Sequence, residues 1–225
     1  MNPLETYLQN LFVIHSSGAA VKETSYYGTL ENLFNELGKT LKPRVRCIIN
    51  IANKGAGLPD VGLFTPDQFQ KRAKGELIEG QLPSRGAIEI KSPGDDVMVV
   101  AKGEQVGRYL KRYRQVLVTN YRDFVLLGLD RDGNLDIRER FTLAANEADF
   151  WALAAHPRAA ANEQGERFIE YIKRVMLHAA PLTLAICPLS GGLGGAKTRS
   201  NGSTRRSNAR SQEATRRSAI GGTLL

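Results

Sequence analysis

Apolar residues change their spacing several times along the chain, and each change predicts an element. Leu4, Tyr7, Leu8, Leu11 and Phe12 recur every three or four positions behind Asn2-Pro3, a pair suited to cap a helix and open its first turn. After the break at Ser16-Ser17-Gly18, Tyr27, Leu30, Leu33, Phe34 and Leu37 repeat with a period near 3.6. They predict a second helix over about 24–37, with Gly38 placed for a left-handed C-terminal cap. The period then falls to two. Val45, Cys47, Ile49 and Ile51 alternate with Arg46, Ile48 and Asn50, β-branched residues dominate, and a strand is expected. Short apolar runs at 61–65, 87–91 and 116–119 predict three more strands, and between the last two Val106, Leu110 and Tyr113 stand at helical spacing within 104–114. A strand, a helix and a strand in succession favour a βαβ unit, hence a mixed or parallel sheet. The runs 124–129 and 135–141 flank Asp130-Arg131-Asp132-Gly133-Asn134 and predict a hairpin, followed by helices over about 147–155 and 166–178. The fold class is α/β, a mixed central sheet flanked by helices, in a body spanning residues 1–180.

Residues 181–225 break this pattern. They hold few large apolar side chains and much Gly, Ser, Arg, Thr and Asn, so burial cannot offset the entropy of ordering them. A disordered, low-complexity basic tail is expected, of a composition that also fits an extension out of reading frame. Seven basic residues and one acid in this segment carry +6 of the net charge of +8, leaving the body near +2. The basic balance therefore describes the tail and says little about the body's partner. Two cysteines, Cys47 and Cys187, exclude a disulfide scaffold and fit a reducing compartment. No signal-peptide pattern or membrane-spanning apolar run is present, so a soluble cytoplasmic protein without a membrane partner is expected.

Chemistry concentrates at Leu58-Pro59-Asp60 and Ile88-Glu89-Ile90-Lys91. Asp60 opens one predicted strand and Glu89 and Lys91 lie on another, where residues two apart share a face. Ile88 and Ile90 then face the opposite side. Two carboxylates on adjacent strands supply hard oxygen ligands for Mg²⁺, which prefers carboxylates, waters and a substrate phosphate. A neighbouring ammonium can hold an attacking water or stabilise charge growing on a phosphate. Together these residue types describe metal-assisted phosphodiester hydrolysis.

Pro59-Asp60 and Glu89-Ile90-Lys91 resemble the PD-(D/E)xK nuclease motif. Gln105 and Tyr109, one helical turn apart, resemble the Q-x-x-x-Y element of restriction-type members of that superfamily. The order E-T-S-Y-Y-G-T-L-E-N-L-F (23–34), G-L-P-D (57–60), I-E-I-K (88–91), Q-V-G-R-Y (105–109) and V-T-N-Y (118–121) is similar to the N-terminal nuclease domain of type ISP and related single-chain restriction-modification enzymes. The resemblance covers residues 15–140. It implies a restriction-endonuclease-like fold, an Mg²⁺-dependent DNA endonuclease in which Mn²⁺ substitutes, and a methyltransferase or helicase subunit as partner. It assigns Asp60 and Glu89 to the metal and Lys91 to the water and the transition state, with Gln105 and Tyr109 in support. Glu23, ahead of the Tyr-Tyr-Gly run, matches the acidic residue that completes the metal site. The chain stops where the fused modules of such enzymes begin, and no N-P-P-[YF] methyltransferase tetrapeptide occurs. Arg108, Lys111 and Arg112, three or four apart on the helix of Gln105 and Tyr109, are expected to contact DNA phosphates.

Other patterns fall away on inspection. Gly191–Thr198 approaches a phosphate-binding loop, but Ala196 stands where the second glycine must precede Lys197. Asp130-x-Asp132-Gly133 lacks the further ligands of a calcium loop and fits a hairpin turn. His15, His156 and His178 are too scattered for a zinc site, and Trp151 and Phe150 are expected to pack a helix on the sheet. Two other functions use the same residues differently: a catalytically silent DNA-binding or regulatory module on this fold, and a nucleic-acid adaptor acting through the basic tail alone.

Overall fold

In the computed structural model, residues 2–21, 23–51, 57–71 and 75–178 are described. Among them a six-stranded sheet runs in chain order, from β1 (Arg46–Ile49), β2 (Val61–Phe64) and β3 (Ala87–Ile90) to β4 (Val116–Thr119), β5 (Asp123–Leu129) and β6 (Leu135–Thr142). All neighbouring pairs are antiparallel except β3 and β4, which run parallel with Glu89 opposite Val118 and Ile90 opposite Thr119. That pair is parallel because α3 (Val97–Ala101) and α4 (Glu104–Tyr113) carry the chain back between them, the predicted βαβ unit. The basic tail at 181–225 lies outside the described residues. No helix among the described residues is long and apolar enough to cross a membrane.

The sheet separates two cores. The larger lies under α1 (Pro3–Ser16), α2 (Tyr27–Gly38), α5 (Glu147–Ala154) and α6 (Pro157–Leu177) and includes Leu4, Leu8, Leu11, Phe34, Ile88, Ile90, Phe168 and Ile172. Each such fully buried side chain contributes about 1.5–3 kcal/mol relative to exposure. The smaller core gathers Ala87, Val106, Tyr109, Leu110, Val116 and Val118 beneath α3 and α4. Along β3 the alternation sends Ile88 and Ile90 into the larger core, so Glu89 shares the face of Ala87 and α4. The expected division of the Ile-Glu-Ile-Lys segment is present.

Local chemistry sets the helix ends. Asn2 Oδ1 accepts from the Leu4 N–H at 2.9 Å and Pro3 occupies the first turn, as expected. Gly38 departs from its expected role. It is the last residue of α2 with no left-handed turn, and a Cβ there would lie 2.1 Å from the Val45 carbonyl oxygen, so glycine serves the close approach of the β1 entry. Asn35 ties α2 to that strand by accepting from the Cys47 N–H (2.9 Å) and donating to the Cys47 carbonyl (3.0 Å). The second helix opens as a 3₁₀ turn over Thr24–Tyr26, and the last helix begins nine residues earlier than predicted, at Pro157, where Ala160, Ala161 and Gly165 pack through small side chains.

Candidate active site

The β2–β3 ladder ends at Val61–Ile88, and Pro59 has no N–H to extend it. The Asp60 side chain takes over: its Oδ2 accepts the Ile90 N–H at 2.7 Å, and its Oδ1 accepts the Tyr27 hydroxyl at 2.8 Å. A carboxylate so held is fixed at the end of two strands and the start of α2. Lys91 stands one residue past β3, still tied to β4 through its N–H to the Thr119 carbonyl (2.8 Å). Its Nζ lies 2.7 Å from Glu89 Oε1 and 3.0 Å from the Ile90 carbonyl oxygen.

Glu89 is 2% exposed, and its Oε2 is buried with no hydrogen-bond partner among the described residues. A buried carboxylate oxygen in that state is costly unless a ligand completes it. Burial is the largest influence on Glu89 and raises its pKa; Lys91 opposes the rise, while the negative charges of Asp60 and Glu23 add to it, leaving the carboxyl at about 7. For the Lys91 ammonium, burial acts downward but is outweighed by Glu89, Glu23 and Asp60, so its pKa is raised. The lysine is therefore an ammonium at neutral pH.

Glu23 is brought to the same end by tyrosines. Its Oε1 lies 3.2 Å from the Tyr27 hydroxyl, whose single proton has a shorter path to Asp60, and its backbone carbonyl accepts the Tyr121 hydroxyl at 2.5 Å. Tyr121 adopts a left-handed φ of 72°, and its own carbonyl accepts from the buried Tyr7 hydroxyl at 3.0 Å. These supporting roles of Tyr27 and Tyr121 escape a sequence reading, although Tyr27 stands one helical turn beyond Glu23. The Tyr27 pKa is raised by burial first and then by Asp60.

Gln105 and Tyr109 share a face of α4, with Gln105 Nε2 donating to the Tyr109 hydroxyl at 2.9 Å. Tyr109 is buried while Gln105 is exposed. Burial raises the phenol's pKa, Gln105 lowers it, and the negative charges of Glu89 and Asp60 raise it again. Arg108, Lys111 and Arg112 are exposed on the outside of the same helix.

Among the described residues, no group of three or more His, Cys, Asp and Glu side chains could hold a metal ion, so Glu23 does not join Asp60 and Glu89 in one such cluster. The two strand carboxylates nevertheless fit a hard divalent cation. Mg²⁺ keeps several waters and binds through one or two carboxylates, and Glu89 Oε2 offers a buried acceptor with no donor among the described residues.

No family model matches the chain, and no curated protein matches it. Two solved structures are similar. One, from a cryo-EM structure of a DrdV–DNA complex, has a TM-score of 0.44 at 17% identity over 76% of this chain, which spans 15% of that chain. The other, a crystal structure of a putative nuclease of DUF820 from Anabaena variabilis, has a TM-score of 0.40 at 15% identity, covering 60% of this chain and 83% of that one.

Proposed function

We propose that this protein is an Mg²⁺-dependent DNA endonuclease of restriction type, with Mn²⁺ able to substitute, acting at Asp60, Glu89 and Lys91. The observation that carries the reading is the buried Oε2 of Glu89, which has no partner among the described residues, beside a carboxylate already oriented by Tyr27 and Ile90 and an ammonium 2.7 Å from its other oxygen. The pair with Lys91 engages Oε1 and leaves Oε2 as an acceptor for a cation.

Asp60 and Glu89 would hold the ion, which supplies Lewis acidity toward a phosphodiester and its attacking water. Tyr27 and the Ile90 amide hold Asp60 in place, so its position costs no reorganisation during the reaction. Lys91, pinned to Glu89 and to the Ile90 carbonyl, can hold a water by its ammonium protons and oppose the charge that grows on the phosphate. Gln105 and Tyr109 line the approach, and Arg108, Lys111 and Arg112 bind backbone phosphates without reading sequence. In the restriction context, a methyltransferase or helicase subunit supplies the partner.

The test is nicking of supercoiled plasmid by the full chain. Mg²⁺ is expected to produce open circles and a chelator to prevent them. Equal nicking with and without the metal, or none in either, would contradict the reading.

A further inference from the structure

Beside the carboxylate end lies a cleft of about 180 Å³ that the proposed reaction does not use, lined by His15, Ala20, Tyr26, Pro93, Glu147 and Trp151. Its volume is well below the ~300–1,000 Å³ of sites for whole drug-sized ligands and suits one planar ring system. The walls are aromatic. His15 stacks on Trp151 with ring centres 3.7 Å apart and planes 5° from parallel, and Tyr26 tilts against Trp151 at 5.7 Å. His15 is exposed while Trp151 covers one face of its ring, so the platform offers a further flat group a place to stack.

One wall is acidic. Glu147 Oε1 accepts a long hydrogen bond from Trp151 Nε1, at 3.4 Å, and its Oε2 lies over Gly94, where a Cβ would approach to 2.7 Å. A carboxylate at the side of an aromatic slot favours a ring that carries an exocyclic amine.

The cleft is rigidly joined to the candidate active site. Pro93 follows Lys91 by two residues, so their Cα atoms are at most about 7.6 Å apart, close enough for neighbouring nucleotides of one strand to reach both. Arg122 clamps the two walls together: its Nε donates to the Pro93 carbonyl (2.9 Å), and its Nη1 to the carbonyls of Ala144 (3.2 Å) and Ala145 (3.1 Å), just ahead of Glu147. Tyr26 precedes Tyr27, the residue that orients Asp60.

We propose that this cleft holds one unpaired base of the scissile strand, stacked on the His15 face that Trp151 leaves open, and that Glu147 selects an amine-bearing base such as cytosine over thymine. The proposal rests on the nuclease reading for its location and gives that site a substrate class: DNA with an unpaired segment beside the cleaved bond. Base stacking is sequence-tolerant, so the aromatic walls supply affinity and the carboxylate supplies preference.

Trp151 is the single tryptophan of the chain, so its emission reports on the cleft directly. With metal withheld to prevent cleavage, the full chain is titrated with short oligodeoxycytidine, with oligodeoxythymidine, and with blunt duplex. Oligodeoxycytidine is expected to change Trp151 emission at saturation and to bind more tightly than oligodeoxythymidine. His15→Ala should weaken single-strand binding about tenfold and leave duplex binding unchanged. Glu147→Gln, whose amide can accept or donate, should narrow the cytidine preference while stacking persists. An unchanged Trp151 emission at saturation, or a His15→Ala loss shared equally by duplex, would overturn the proposal. A Trp151 response in a protein that fails to nick plasmid in Mg²⁺ would instead overturn the nuclease reading and leave the cleft as a base-binding site.

Discussion

Acidic residues stand at both ends of the sheet, and their surroundings pull them in opposite directions. At the β5–β6 turn, Asp130 Oδ1 accepts from the N–H groups of Asp132 (2.9 Å) and Asn134 (2.8 Å), and Gly133 closes the turn at φ 84°. The Asn134 amide leads the contacts that lower the Asp130 pKa. At the other end, Glu89 is buried beside Asp60 and Glu23, is pushed up to about 7, and keeps one oxygen without a partner among the described residues. Both segments offer closely spaced acids in the sequence. What separates them is where the hydrogen bonds come from: the Asp130 carboxylate is satisfied by its own turn, whereas Glu89 is held short of described partners among like charges, the kind of environment that marks a candidate functional site.

The comparison is tested most strongly by deletion at the buried end. Asp60→Ala and Glu89→Ala are each expected to lower Mg²⁺-dependent nicking by orders of magnitude, with circular dichroism and the metal-free thermal midpoint preserved or slightly raised, because like-charge repulsion is relieved. Wild-type turnover in either variant would remove that carboxylate from the site.

A smaller effect follows from titration. Because the Glu89 pKa is raised from 4.5 to about 7, the folded protein binds more protons than the unfolded chain in that interval. The stability this confers is complete below about 4.5 and is lost as pH rises to about 7. In chelator, the thermal midpoint of the wild type should therefore fall across this window by more than that of Glu89→Gln, and Mg²⁺ should restore it at pH 8 by binding the ionised form. Parallel pH profiles for the two proteins would show that Glu89 is not raised.

The smallest effect belongs to the turn. Asp130→Ala should leave nicking unchanged and lower the midpoint slightly at neutral pH. The sign reverses here, since a lowered carboxyl pKa gives stability that is present above its ordinary value and lost as pH falls. Differential scanning fluorimetry at acid and neutral pH distinguishes this from an inert exposed acid.

Much of this contrast is legible in the sequence. Alternation places Glu89 opposite Ile88 and Ile90, the Asp-Gly-Asn cluster marks the turn, and the strand-helix-strand order marks β3 and β4 as the parallel pair. The holding of Asp60 is not legible, because its partners stand 33 and 30 residues away and meet it only through the strand register and the approach of α2. The start of α6 escapes a periodicity argument because its first turns pack through Ala160, Ala161 and Gly165 rather than large apolar residues. Val97–Ala101 is also hidden, since Val-Met-Val-Val carries β-branched residues into a short helix capped by Asp96. Gln105 and Tyr109 share a face as their spacing requires, but only packing shows that one is exposed and the other buried.

The central claim, that the Glu89–Lys91 pair is chemical rather than structural, is tested most directly by single-turnover cleavage of plasmid at saturating Mg²⁺ with Lys91→Arg. Arginine preserves the charge but replaces a compact ammonium with a planar fork. If Lys91 places and polarises the nucleophile, the rate falls by orders of magnitude while DNA binding stays near that of the wild type, the pattern of an interaction made in the transition state. A near-normal rate would contradict the account and return Lys91 to the role of a surface partner for Glu89.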